Sequence, residues 1–260
     1  MSQQFWTEKR VIISTDAEKL ASSVARRLLD RLVRRSAAGK ISHLALTGGA
    51  IGTDVLRAAG ADPRRAEVDW STVHFWWGDE RFLPRDHAER NERGAREALL
   101  DHIDVPAGNI HAIAAAGEGI DLDQAADLYA AELERFAADG QEWPSFYICF
   151  LGVGPDGHIA SLFPDRGEIQ VTDRSVLPVR DAPKPPSDRV TLTRPVINSA
   201  RCVWMVLSGT DKAAALGLAL AGASYDSVPA AGAKGLKRTL LFVDEAAAQQ
   251  VPAELIEREF

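Results

Sequence analysis

The chain has two cysteines and two methionines in 260 residues, and no apolar run approaches the roughly 18 residues that a bilayer span needs. Cys149 and Cys202 each sit inside an apolar run and no C-x-x-C pair occurs. Buried, reduced thiols are therefore expected, not a disulfide or a zinc site. The sequence holds no G-x-x-x-x-G-K-[ST] loop, no H-E-x-x-H and no G-x-S-x-G elbow. These absences set aside the common nucleoside-triphosphate, zinc-protease and serine-hydrolase motifs. Its six histidines show no chelating spacing, so no metal and no cofactor are expected. Excess positive charge is also missing. A net charge of −7 argues against nucleic acid or an anionic membrane as a partner, though a small anion feels only its local pocket. The stretch MSQQFWTEKR lacks an apolar core of signal-peptide length, and a cytoplasmic enzyme or binding protein is the expectation. No internal repeat or low-complexity tract is seen.

What is present alternates. RVIIS (10–14) reads as a strand, and Asp16 to Ala38 as an amphipathic helix. In that helix Leu20, Val24, Leu28 and Leu32 form a stripe, widened by Leu29 and Val33. The arginines at 26, 27, 31, 34 and 35 lie mostly off this stripe and read as a solvated face. Four later segments share one format, a short apolar run followed by a polar or glycine turn. They are HLALTGGAIG (43–52), VHFWWGDER (73–81), FYICFLGVGPDGH (146–158) and CVWMVLSGTDK (202–212). Helical patterns occupy Ala88–His102 and Asp121–Ala138, and TLLFVDEAAA (239–248) reads as a strand followed by a helix. VLPVRDAPKPPSDR (176–189) reads as an extended loop, because each proline restrains itself and its predecessor. Apolar strands alternating with helices predict an α/β fold with a mostly parallel sheet covered on both faces. The expected architecture is three-layered and Rossmann-like, one domain over 1–260 with room for a small appended lobe. Trp76 and Trp77 are then adjacent strand residues facing opposite sides. In such a sheet the four polar turns gather along one edge, where ligands bind.

The turn GVGPDGHIASLFP (152–164) carries a G-x-G-x-x-G spacing. A dinucleotide site also needs a helix from the third glycine and an acidic residue ending a second buried strand. Pro164 comes too early for that helix, and GEIQVTD is no buried strand. The alternative is that the glycines present Asp156 and His158, a carboxylate and a histidine able to pass a proton between water and a leaving alkoxide. The amides near Gly154 and Gly157 can approach a ligand there. Asp79, Glu80 and Arg81 make a charged cluster at a strand's end. Glu80 reads as an ordinary charged turn residue, and Arg81 as a clamp for phosphate or carboxylate. LTGGAIG (46–52) has the geometry of an anion-binding helix start. Lys184, Arg189 and Lys212 add basic groups on loops near the same edge. Ser161 has no evident partner base.

Taken together these segments resemble the 6-phosphogluconolactonase family, whose fold is shared with glucosamine-6-phosphate deaminases. LTGGAIGTDVL is similar to its glycine turn, and WWGDERFLPRDHAERN to its W-x-D-E-R-x-V-P…N segment. GVGPDGHIASLFP resembles its most diagnostic stretch, KPPSDRVTLTRPVIN its K-P-P-x-x-R segment and SGTDKAAAL its G-x-x-K-A turn. VPAAGAK and LLFVDEAAA are similar to its C-terminal end. The resemblance implies hydrolysis of a sugar-phosphate lactone, with His158 as general acid/base and Asp156 orienting it. It also implies substrate and phosphate contacts from Gly48, Gly49, Asp79, Arg81, Gly154, Gly157, Lys184, Arg189 and Lys212. A deaminase reads D-G-H-I-A-F-N-E-P, and here Phe163 stands where its glutamate would be. One departure is Ala50-Ile51-Gly52, where the family usually has Ser-Thr-Pro. A catalytically silent sugar-phosphate sensor is the remaining alternative.

Overall fold

The computed structural model describes residues 9–252. The amino-terminal residues read above as lacking a signal segment, 1–8, lie outside this range, as do 253–260. The strands are β1 (Lys9–Ser14), β2 (Ser42–Leu46), β3 (Val73–Trp77), β4 (Asp79–Arg81), β5 (Phe146–Gly152), β6 (Val176–Val179), β7 (Arg189–Leu192), β8 (Cys202–Leu207) and β9 (Arg238–Asp244). The α-helices are α1 (Ala17–Ala37), α2 (Gly49–Ala61), α3 (Asn91–Ala98), α4 (Leu122–Arg135), α5 (Arg194–Ser199) and α6 (Ala213–Leu220). Six strands form one sheet in the order β1-β9-β8-β5-β2-β3, and every pairing in it is parallel. The antiparallel pairs are confined to a second, three-stranded sheet, β4-β7-β6, on which α4 packs.

Both faces of the large sheet are covered. All six residues of β8 are buried, and successive strand residues point to opposite faces. On one side the Arg31 guanidinium of α1 lies 5.3 Å from the Trp204 ring. On the other, Trp76 meets Tyr129 and Phe136, on and just beyond α4. Trp76 and Trp77 are both buried, as their alternation predicts. Cys149 and Cys202 are buried and unpaired. No described helix is long and apolar enough to cross a membrane.

The start and stop signals of the helices act locally. The Asp16 side chain accepts from the Lys19 amide and begins α1, whose buried stripe contains Leu20, Val24, Leu28, Leu29 and Leu32. Asp121 and Gln124 form a reciprocal capping box at α4. Three expectations need correction. The pattern over Ala88–His102 yields only α3 and a single turn at Leu100–His102, because Leu99 (φ −145°) leaves the helical conformation. The residues after β9 make one turn, Ala247–Gln250, not an α-helix. The proline-rich 176–189 stretch is not loop throughout, since it opens with β6 and ends on the first residue of β7. Pro178 is tolerated there because β6 is an edge strand.

A histidine cluster sits where β2 and β3 meet the 111–136 region. His74 Nδ1 and His111 Nε2 are 2.9 Å apart, and His111 Nδ1 is 2.8 Å from Glu132. Trp76 donates to His43 Nδ1 at 3.0 Å, and the His43 ring stacks on His74. Burial, and then the neighbouring imidazoles and Arg135, push His43 and His111 down to about 3; burial also lowers His74. An unfolded histidine titrates near 6.5, so below that pH the unfolded chain binds protons that the native cluster refuses. Stability is therefore expected to be complete above about pH 6.5 and to decline as pH falls toward 3. Urea midpoints measured from pH 7.5 to 4 should begin to drop near 6.5. A decline that starts only at carboxylate pKa values near 4 would contradict this.

Candidate active site

The strand order reverses between β2 and β5, since β2 continues to β3 on one side and β5 to β8 on the other. The carboxyl ends of such a pair flank a crevice. A cleft of about 520 Å³ lies there, walled by the turns after β2, β3, β5 and β8 and by the 184–185 loop. The single edge predicted for the polar turns is therefore present.

After β5 the chain makes a tight loop. The Gly154 amide donates to the His158 carbonyl (2.9 Å), the Gly157 amide to the Gly154 carbonyl (2.9 Å), and Val153 pairs with Ile159. No helix follows until a single turn at Gly167–Gln170. The glycines make room for the Asp156–His158 pair. A Cβ on Gly154 would fall 2.0 Å from His158 Nδ1 and 2.4 Å from Asp156 Oδ1. Gly157 has φ +84°, and its missing Cβ leaves room for Val228.

His158 Nδ1 lies 2.5 Å from Asp156 Oδ1. An ionised carboxylate only accepts, so the proton is on Nδ1 and Nε2 carries a lone pair. Burial lowers the pKa of His158, and the hydrogen bond and charge of Asp156 only partly oppose it. Burial resists ionisation of Asp156, yet the hydrogen bond and charge of His158 and the charge of Lys184 hold it below the ordinary carboxylate range. Lys184 Nζ is 3.7 Å from the same Asp156 oxygen. At neutral pH the result is a neutral imidazole beside a carboxylate, the state a general base needs. The buried Phe163 ring packs 4.8 Å from the imidazole. No carboxyl stands at that position.

Across the cleft, Asp79 is buried and accepts from Ser161 Oγ at 2.7 Å. Ser161 thus supports Asp79. Glu80 is no surface turn residue. It is 1% exposed, and its Oε1 accepts from the Arg81 (2.7 Å) and Asn91 (2.8 Å) amides while Oε2 accepts from the Glu92 amide (2.8 Å). Arg90, itself buried, lies 3.8 Å away. Burial raises the Glu80 pKa, while Arg90 and the three amides act against that. Glu80 thereby caps α3, whose own N-cap residue Arg90 provides no side-chain cap. Arg81 lines the cleft, with Nη1 on the Glu89 carbonyl (2.5 Å) and a buried Nε that has no partner.

Gly48 and Gly49 bring the start of α2 to the cleft, where its first amides have no intrahelical partners. Lys212 lies on the opposite wall, paired with Asp211 at 3.0 Å. The turn that bears Lys212 is fixed by Asp244, which accepts from Ser208 Oγ (2.6 Å) and from the Gly209 and Ala247 amides. Arg189 also lines the cleft. Its Nε and Nη2 donate to the Pro186, Lys184 and Pro185 carbonyls, and it lies over Phe163. Much of its donor capacity holds the 184–186 loop. Burial lowers its pKa, aided by the charge of Arg81.

By pattern alone neither Asn91 nor Asp244 stands out as a site residue. Asn91 closes the quoted WWGDERFLPRDHAERN segment, which was the available signal; its Nδ2 donates to the Asp79 carbonyl at 2.9 Å. Among the described residues, no three His, Cys, Asp or Glu side chains gather as a metal site.

The chain is 44% identical to a 6-phosphogluconolactonase of Mycobacterium leprae, over 93% of this chain and 98% of that one. It is 42% identical to a Streptomyces coelicolor 6-phosphogluconolactonase, over 95% and 96% of the two chains. Among solved structures, the 6-phosphogluconolactonase of Leishmania guyanensis superposes with a TM-score of 0.80 at 26% identity, covering 96% of this chain and all of that one. The Thermotoga maritima 6-phosphogluconolactonase gives 0.77 at 25%, covering 92% and 100%. A monomeric glucosamine-6-phosphate deaminase, at 19% identity and a TM-score of 0.75, shares the fold, covering 93% and 99%. With the family of glucosamine-6-phosphate isomerases and 6-phosphogluconolactonases matching residues 15–242, this chain belongs to that family.

Proposed function

We propose that the cleft hydrolyses 6-phospho-D-glucono-1,5-lactone to 6-phospho-D-gluconate, a step of the oxidative pentose phosphate pathway, in the cytoplasm and without a metal. The observation that carries this reading is the Asp156–His158 pair, with an Nε2 lone pair at a cleft that also holds Arg81, Lys184 and Lys212. The relatives' activity and the phenylalanine at 163 favour lactone hydrolysis over deamination, since a ring-opening acid is missing there.

In this mechanism His158 Nε2 takes a proton from water, and the resulting hydroxide adds to C1 of the lactone. Negative charge builds on the carbonyl oxygen, which amides of the glycine turns stabilise. The C1–ring-oxygen bond then breaks, and the imidazolium returns its proton to the departing oxygen. Asp156 holds the tautomer and steadies the imidazolium. Water and lactone give the open-chain acid with all atoms accounted for. The cations and the amides at the start of α2 hold the phosphate.

The direct test follows proton release from freshly generated lactone after subtraction of spontaneous hydrolysis. A rate no faster than buffer would overturn the enzyme reading and leave the sugar-phosphate sensor. In the same assay Arg81→Ala is expected to raise KM about tenfold and change kcat little, as for a contact made equally in ground and transition states. An unchanged KM would remove Arg81 from the phosphate site.

A further inference from the structure

We infer that Asn91 is a specificity-determining residue whose side-chain oxygen accepts a hydrogen bond from one ring hydroxyl of the sugar, an inference that rests on the lactonase reading above. Asn91 lines the cleft and is only 7% exposed. Its amide orientation is fixed, because Nδ2 must be the group that donates to the Asp79 carbonyl at 2.9 Å. That leaves Oδ1 beside the glycine turn. A Cβ on Gly48 would fall 1.8 Å from Oδ1, so the glycine at 48 makes room for this oxygen. Gly48 has φ −88°, and its backbone does not demand glycine. The side chain of Asn91, not backbone strain, is what excludes a larger residue there.

None of the described residues donates to Asn91 Oδ1. The oxygen is not sealed from solvent, so a group that enters the cleft is left to pair it. The partner it calls for is a donor. An amide oxygen repels phosphate, so the anion belongs with the cations and the amides, and a hydroxyl belongs here. The position is also pre-organised. Glu80 Oε1 holds the Asn91 amide at 2.8 Å, and the same oxygen holds the amide of Arg81. One buried carboxylate therefore fixes the backbone of both the expected phosphate clamp and the proposed hydroxyl acceptor. A site that orients an acceptor toward a hydroxyl discriminates against analogues lacking it, because the fixed oxygen then has no partner on the ligand.

The test crosses the enzyme with its substrate. Wild type and Asn91→Ala are assayed on 6-phosphogluconolactone and on its 2-, 3- and 4-deoxy analogues. Wild type should lose about tenfold in kcat/KM on one analogue. Asn91→Ala should lose about tenfold on the parent lactone and show no further loss on that same analogue. Equal slowing of all four substrates by the substitution would make Asn91 a structural support only and overturn the inference. If wild type treats the three analogues like the parent, the inference also fails, whether or not the variant folds. Absence of wild-type activity on the parent would instead overturn the lactonase reading.

Discussion

Replacing His158 with glutamine should lower kcat by about 10²–10⁴-fold, the range expected when a general acid/base is removed. Glutamine retains polarity and approximate size but can neither take a proton from water nor return one to the ring oxygen. KM should move little, because the cations that would hold the phosphate are on other loops. The pH profile supplies a second readout. Burial lowers the pKa of His158, so wild-type activity should fall on the acid side only below the ordinary histidine value. In the variant that acid limb should vanish, leaving a flat residual rate. Turnover near wild type, or an unchanged acid limb, would take the proton-transfer role away from His158. Asp156 supports this assignment through the 2.5 Å contact, because only an Nδ1-protonated ring leaves Nε2 free for water.

The second large effect is on stability. Glu80→Ala should destabilise the fold by about 3–5 kcal/mol, the cost of breaking a buried ion pair by removing one member. Three backbone amides lose their acceptor at once, and α3 loses its cap. Arg90 keeps Glu92 at 3.1 Å and the Ile113 carbonyl at 2.7 Å, which limits the damage. For a chain of this size the change corresponds to a drop in Tm of roughly 6–20 °C. Thermal and urea unfolding of the two proteins would measure it. A loss under about 1 kcal/mol would return Glu80 to the status of a solvated turn residue. Activity should suffer in the folded fraction too, because Arg81 and Asn91 would no longer be held in register.

Several elements were legible because their information is local. The stripe of α1 repeats with helical period and its Asp16 cap precedes it directly. The strands of the large sheet read as continuous apolar runs because both faces are covered, as β8 demonstrates. The order of turns along the chain placed Gly48, Arg81, His158 and Lys212 on one edge, since parallel strands direct all their carboxyl ends the same way. The helical pattern over 88–102 overruns the helix because periodicity says little about where a backbone exits, and Leu99 does so early. Strand β6 lies in a stretch that reads as loop because the strand is short and contains a proline, so no alternation has space to develop.

By itself the sequence determined the parallel α/β scaffold, the crevice edge and the pairing of Asp156 with His158, all of which follow from period, turn chemistry and close spacing. Tertiary structure alone decided which polar groups meet across the chain. Ser161 reaches Asp79, 82 residues away, and Arg189 turns its donors onto the loop before it. Glu80 becomes buried because the amides of Asn91 and Glu92 are delivered to it, and Gly48 is small because Asn91 fills the space above it. A carboxylate at a strand's end looks the same in the sequence whether water or three amides satisfy it. The choice depends on burial, which is set only when distant segments pack and each buried polar group must find its partner.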